Sequence, residues 1–261
     1  MRSGDSPAAP DPLALQRREP LAPLPWAPAP DQRGTDGVPA PPARGEPRPL
    51  VLQIDRRAPV VKAAMASLHE LLGPQELERM ERLRRAADRE RFLLGRGVLR
   101  LTLGHWLGRD PADLVFHLGP HGKPGLDGAP PFNLSHSGDL VLLAFHATRE
   151  VGVDVERERP GLEWQAIARR TFAPEQLAWL EALPAAQRER AFLGEWCRLE
   201  SELKARGTGL AGLGDRAPGP PGNDLWDLSL PAGHQGAVAL ANTLTDHPAA
   251  GEALRRGSRP G

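Results

Sequence analysis

An α+β fold is predicted for this 261-residue chain. Two patterns predict its parts. Leu50–Ile54 and Val151–Val155 alternate apolar residues with others at the two-residue period of a half-buried strand, and Phe192, Trp196, Leu199 and Leu203 recur at the spacing of a helix. A third observation predicts the plan: the same succession of strands and helices occurs twice, once on each side of about residue 149.

Forty per cent of the residues are apolar, enough for a sizeable core. Lys+Arg and Asp+Glu balance at 33 each, so no overall field points to nucleic acid or a membrane surface. The single cysteine, Cys197, excludes an intrachain disulfide framework and suits a reducing compartment. No run reaches the length of a membrane span, and the N-terminus lacks a signal-peptide core. A cytoplasmic protein is expected.

Thirteen of the 29 prolines lie in the first 49 residues, so residues 1–47 read as a disordered Pro-rich tail in which Leu13, Leu15 and Trp26 have no evident partner. Structure is expected from the strand Leu50–Asp55. Helices follow at about 62–72 and from Gly73-Pro74-Gln75-Glu76, where Pro74 suits the first helical turn. Asp88 reads as the cap of a helix over about 89–107. Leu114–Leu118 reads as a short strand and His121-Gly122-Lys123-Pro124 as a turn. The run 140–145, the link Thr148-Arg149-Glu150 and the strand Val151–Glu156 read as an antiparallel hairpin, with His136 at the far end of the partner strand. Helices are expected at about 163–170, 174–182 and 184–206, the last stopped by Gly207. Strands at 225–230 and 236–241 would close the chain.

In the strand Val151–Glu156 the valines share one face, and Gly152, Asp154 and Glu156 the other. Two readings of that second face stay open on the residues alone. It is an acidic solvent face, or, with Glu200 brought in by the long helix, an oxygen-rich cation site. Lys204 lies one turn beyond Glu200; the pair is either a surface ion pair or part of the same site. His136 and Lys123 could bind phosphate or be merely solvated. No P-loop, dinucleotide-binding glycine signature, zinc-ligand spacing or G-x-S-x-G elbow is present, which leaves little for a serine hydrolase built on Ser135-His136.

Taken in order, Gly122-Lys123-Pro124, Phe132-Asn133-Leu134-Ser135-His136-Ser137, Gly152-Val153-Asp154-Val155-Glu156, Trp196-Cys197-Arg198-Leu199-Glu200-Ser201-Glu202-Leu203-Lys204 and Gly207-Thr208-Gly209-Leu210 resemble the 4′-phosphopantetheinyl transferase family, of the larger surfactin-synthetase-activating (Sfp) type. The resemblance covers roughly residues 50–242. It implies a pseudo-dimer of two similar α/β halves, each a small antiparallel sheet packed with helices. The expected division is a tail over 1–47, an N-terminal half over 48–149, a C-terminal half with the metal site over 150–245 and a loose tail over 246–261.

The activity it implies is transfer of the phosphopantetheine arm of coenzyme A to a serine of an apo acyl, peptidyl or aryl carrier protein, as in a holo-acyl-carrier-protein synthase, releasing adenosine 3′,5′-bisphosphate. A monomer is expected, with no nucleic-acid or membrane partner. By position, Asp154, Glu156 and Glu200 would hold Mg²⁺, and Glu200 would also take the serine proton. Lys204 would contact the pyrophosphate. Lys123, Ser135 and His136 would bind the 3′-phosphate end of coenzyme A. Arg91 matches a basic family position, and Arg79 and Arg82 are further phosphate partners. One departure stands out: the family's usual lysine before the helix glutamate is Leu199 here. Arg198 is expected to matter little. Two alternatives accompany this reading: a non-catalytic coenzyme A or carrier-binding homologue, and a metal-dependent phosphoester hydrolase.

Overall fold

The computed structural model describes residues 18–28, 37–119, 121–209 and 223–244. The fold is α+β, built as two halves of similar make-up. The N-terminal half has a four-stranded sheet in the order β2 (Leu24–Pro25), β3 (Leu50–Asp55), β7 (Leu140–Phe145), β6 (Phe132–Ser137). Helices α1 (Pro59–Glu70), α2 (Pro74–Glu81) and α3 (Ala86–Leu107) accompany it, and a small ribbon of β4 (His117–Leu118) and β5 (Pro124–Gly125) precedes β6. The C-terminal half has the order β1 (Arg18–Leu21), β9 (Asp224–Leu228), β10 (His234–Leu244), β8 (Arg149–Arg157). Its helices are α4 (Trp164–Thr171), α5 (Pro174–Ala182) and α6 (Ala185–Arg206). Both sheets are mixed: β1 and β2 pair in parallel with β9 and β3, and the other pairings are antiparallel.

Helix boundaries follow local chemistry. Pro74 sits at the start of α2, and the Glu76 carboxylate accepts from the Gly73 N–H at 3.1 Å. Helix α6 ends at Gly207, whose left-handed backbone (φ 70°) lets its N–H and that of Thr208 turn back onto the Lys204 and Leu203 carbonyls. Asp88 is no cap. It lies inside the first turn of α3, paired with Arg91, and the helix starts three residues earlier than expected.

Two expectations need correcting. Residues 18–28 are not a disordered tail. Only two residues separate β1 on one sheet from β2 on the other, and Trp26 inserts into the N-terminal core at 3% exposure. Proline does not forbid this, because β1 and β2 are edge strands with few ladder bonds to donate. The segments 1–17 and 245–261, including the loose tail expected from 246, lie outside the described residues.

The second correction concerns the hairpin. Strands β7 and β8 do not pair. The antiparallel partner of β7 on this side is β6, and β8 leaves for the other sheet to pair with β10. The link residue Arg149 is itself committed to the C-terminal sheet, donating to the carbonyls of Leu240 and Ala241 and to Asp224. The two sheets meet face to face instead. Leu140, Leu142 and Ala144 of β7 pack with Val151, Val153 and Val155 of β8 in one buried layer with Trp226 and Val238.

His146 closes the turn between β7 and β8. It is buried, its Nδ1 accepts from the N–H groups of Thr148 and Arg149, and its Nε2 meets the Glu46 carbonyl at 3.0 Å. Burial, only partly offset by that carbonyl, holds the imidazole below the ordinary histidine value. The unfolded chain therefore takes up this proton first. The stabilisation is complete above the unfolded value of about 6.5 and fades as pH falls through the folded one. Urea unfolding is expected to show a midpoint that drops from pH 7 to pH 5, with a smaller drop in His146→Asn; equal drops in the two proteins would refute it.

Candidate functional site

The site begins with Gly152. A Cβ there would lie 2.0 Å from the Ser201 carbonyl oxygen and 2.3 Å from the Ala205 nitrogen, so only glycine lets α6 sit directly on β8. The helix answers with small residues at four-residue spacing, Cys197, Ser201 and Ala205, all buried. This close approach turns the acidic side of β8 toward the helix rather than to solvent. Glu200 and Lys204, each one position before a buried small residue, are carried to the exposed flank of that contact.

Asp154 is 5% exposed. Its Oδ1 accepts from Lys204 Nζ at 2.6 Å and from Ser135 Oγ at 2.8 Å. Lys204 also reaches the Val153 carbonyl at 3.3 Å. Ser137 Oγ donates to Glu156 at 2.8 Å, and Asn133 accepts from the Val153 N–H at 3.0 Å. Asn133, Ser135 and Ser137 all belong to β6, so the two edge strands β6 and β8 are joined by side chains across the seam between the halves.

The electrostatics are those of an acidic site short of positive charge. Burial holds Glu156 above the usual carboxylate value, against the Ser137 hydrogen bond and with help from Asp154. Burial raises Glu200 likewise; Lys204 opposes this, and the charges of Asp154 and Glu156 add to it. Asp154 Oδ2 is buried with no hydrogen-bond partner. Such an oxygen is costly unless something pairs with it. A hard cation fits this donor set. Among the described residues, no three His, Cys, Asp or Glu side chains stand together as a metal-binding group. The ammonium of Lys204 is the counter-charge on Asp154 instead.

In front of Lys204 lies a cleft of about 1210 Å³. Of the predicted residues it brings together Arg79, Arg82, Arg91, Lys123, His136, Glu200 and Lys204. Asp154, Glu156 and Ser135 do not line it and stand behind Lys204 or along the seam. His136 is exposed as a residue, yet desolvation by the groups around its imidazole, then the charges of Arg91 and Lys204, hold it below the ordinary value. Arg91 is oriented by Asp88 and donates to the Gly138 carbonyl at 2.7 Å. Lys123 departs from the expectation of a phosphate ligand. Its ammonium already donates to Glu150 at 2.7 Å and to the carbonyls of Val151 and Lys204, each at 2.9 Å.

Sequence reasoning missed one part of the wall. Glu76 pairs with both Arg96 and Arg100, the latter at 2.6 Å, and the two guanidiniums lie 4.3 and 5.2 Å from the Phe116 ring. The signal was present, since Arg96 and Arg100 are four apart on one helix. Their partner lies 20 residues or more away on α2, and periodicity cannot show that.

Leu199 and Trp196 are half-buried and pack on the α4–α5 cluster around Trp164 and Phe172. A leucine is at home there.

No helix among the described residues is long and apolar enough to cross a membrane. Two family models match the chain. The one for the 4′-phosphopantetheinyl transferase superfamily matches residues 150–249, and the one for the N-terminal part of 4′-phosphopantetheinyl transferase matches residues 59–148. Among similar proteins, the 4′-phosphopantetheinyl transferase HetI of Nostoc sp. is 37% identical over 58% of this chain and 66% of its own length. A putative 4′-phosphopantetheinyl transferase of Synechocystis sp. is 35% identical over 59% of this chain and 64% of its own. A 4′-phosphopantetheinyl transferase of Bacillus subtilis is 32% identical over 54% and 62%. The match thus spans just under two thirds of each relative. The boundary between the two family models, at residue 149, is the point where the chain passes from one sheet to the other, and the chain belongs to the 4′-phosphopantetheinyl transferase family.

Proposed function

We propose that this chain transfers the 4′-phosphopantetheine arm of coenzyme A to a serine hydroxyl of an apo acyl, peptidyl or aryl carrier protein, with Mg²⁺, releasing adenosine 3′,5′-bisphosphate. The observation that carries this reading is that Glu200 and Lys204 line one cleft with five arginines, and that Lys204 pairs there with buried Asp154. Relatives named for the transferase activity support it.

In this reading Asp154, Glu156 and Glu200 would hold Mg²⁺, which supplies counter-charge to the pyrophosphate and its leaving phosphate when bound. Glu200, raised above the usual carboxylate value, would be the general base for the serine proton. Lys204, held beside Asp154, would present its ammonium to the pyrophosphate from there and neutralise the leaving group. His136 and Arg91 would face the 3′-phosphate end of coenzyme A, with Arg79 and Arg82 as further phosphate partners, and Ser135 would support the site from behind through Asp154. A cytoplasmic monomer of the holo-acyl-carrier-protein synthase type completes the reading.

The test is intact-protein mass spectrometry on a panel of apo carriers with coenzyme A. A mass gain of one phosphopantetheine on at least one carrier is expected, and its loss when EDTA replaces Mg²⁺. Folded protein that modifies no carrier would sink the reading. Phosphate release without modified carrier would point to a hydrolase, and binding of coenzyme A without turnover to a non-catalytic homologue.

A further inference from the structure

Lys123 lines the cleft, yet its charge is spent elsewhere. An ammonium has three N–H donors. Here they go to Glu150 Oε2, the Val151 carbonyl and the Lys204 carbonyl, all within 2.9 Å. The side chain is 18% exposed, and its ion partner Glu150 is 28% exposed. Such a charge stays in place because every donor is matched by an acceptor of good geometry.

The three acceptors belong to one half of the protein and the lysine to the other. Lys123 sits just before β5 in the ribbon of the N-terminal half. Glu150 and Val151 open β8, and Lys204 lies in the last turn of α6. Carbonyls in the last turn of a helix lack an in-helix partner, and the helix dipole leaves that end negative. A cation there satisfies both. The Lys204 carbonyl also accepts from the Gly207 N–H at 3.2 Å, so Lys123 and the glycine stop converge on one oxygen. The side chain of that same residue reaches Asp154 at 2.6 Å.

We propose that Lys123 is a positioning residue: it locks the last turn of α6 to the start of β8 across the seam between the halves, and so holds Lys204 over Asp154. It does not grip the nucleotide. The inference rests on the transferase reading for its kinetic consequence but not for its geometry.

Both parts can be tested separately. In Lys123→Met, kcat is expected to fall about 10- to 100-fold, because a displacement of a catalytic group by about 1 Å can cost as much as roughly 10²-fold. KM for coenzyme A should change little. The fall should be equal with coenzyme A and with 3′-dephospho-coenzyme A, because the missing phosphate was never a partner of Lys123. Glu150→Gln, which keeps the shape and removes the charge, should fall in the same direction. Hydrogen exchange at the amides of residues 204–208 should speed up in both variants, whether or not the protein turns over. A loss confined to coenzyme A, seen as a raised KM that vanishes with the dephospho substrate, would overturn the proposal and restore Lys123 as a phosphate ligand. Unchanged exchange at 204–208 in Lys123→Met would overturn it on geometry alone. If the wild type modifies no carrier while exchange responds as expected, the transferase reading fails and the clamp stands.

Discussion

Asp154→Asn is expected to lower carrier modification by about 10³-fold while leaving the protein folded. The substitution keeps size and shape, so Ser135 and Lys204 still find an oxygen where Oδ1 was. What disappears is one negative charge in a site where two other carboxyls, Glu156 and Glu200, are already held above their usual values in part by that charge. Removing it relieves repulsion on Glu156 and Glu200, which offsets part of the ion pair lost with Lys204. The same charge is what would draw a cation to the buried Oδ2 and keep Lys204 oriented. Loss of several kcal/mol of charge stabilisation corresponds to roughly three powers of ten in rate. The measurement is an initial rate of mass gain beside a thermal melt of the same preparation. A rate within about tenfold of wild type, at matched stability, would remove Asp154 from the reaction.

That separation of activity from stability has a basis in the strand itself. Alternation alone puts Asp154 and Glu156 on one side of β8 and the valines on the other, and both faces are where the pattern says. What alternation cannot say is what each face meets. The valine face, on a strand read as paired with 140–145, meets a separate sheet. The acidic face, open to reading as solvated, meets α6. The clue was Gly152 together with the small residues Cys197, Ser201 and Ala205, a match of missing volumes rather than of hydrophobic residues. A search for large apolar stripes passes over it and finds the other side of α6, where Phe192, Trp196 and Leu199 pack on α4 and α5.

The N-terminal segment was illegible for a related reason. Residues 18–28 hold too few apolar side chains to announce strands, and their prolines argue against a ladder. Their order comes from partners far along the chain. The Arg18 guanidinium lies 5.1 Å from the Trp226 ring and 2.5 Å from Asp224, the Leu21 carbonyl accepts from the Ser229 N–H, and the Trp26 N–H donates to the Gln53 carbonyl. Local propensity is a weak guide where an edge strand is supplied with its contacts by two finished sheets. The helix limits were easier to read, because Pro74, Gly207 and the leucine spacings act within one turn.

Arg198→Ala shows where sequence position misleads in the other direction. Two residues before Glu200 and matched to no family role, Arg198 reads as dispensable, and for the chemistry it is: it does not line the cleft. For stability it is central. Its guanidinium grips both oxygens of Asp227 on β9 at 2.7 Å and donates to Glu195 at 2.6 Å. Glu195 is 2% exposed. Truncating the arginine takes a cation away from that buried carboxylate, which keeps the Gln176 amide at 3.5 Å, and cuts a bidentate tie between α6 and the C-terminal sheet. Breaking a buried pair from one side costs about 3–5 kcal/mol, which in a domain of this size lowers the melting temperature by roughly 10 °C. The rate per folded molecule should stay near wild type at a temperature where the variant is folded. Adding Glu195→Gln should recover part of the loss, since the buried charge that lost a cation goes with it. A single variant less than about 1 kcal/mol down would place Arg198 among ordinary surface pairs, and the anchoring of α6 would then rest on its packing against β8, β10 and the α4–α5 cluster.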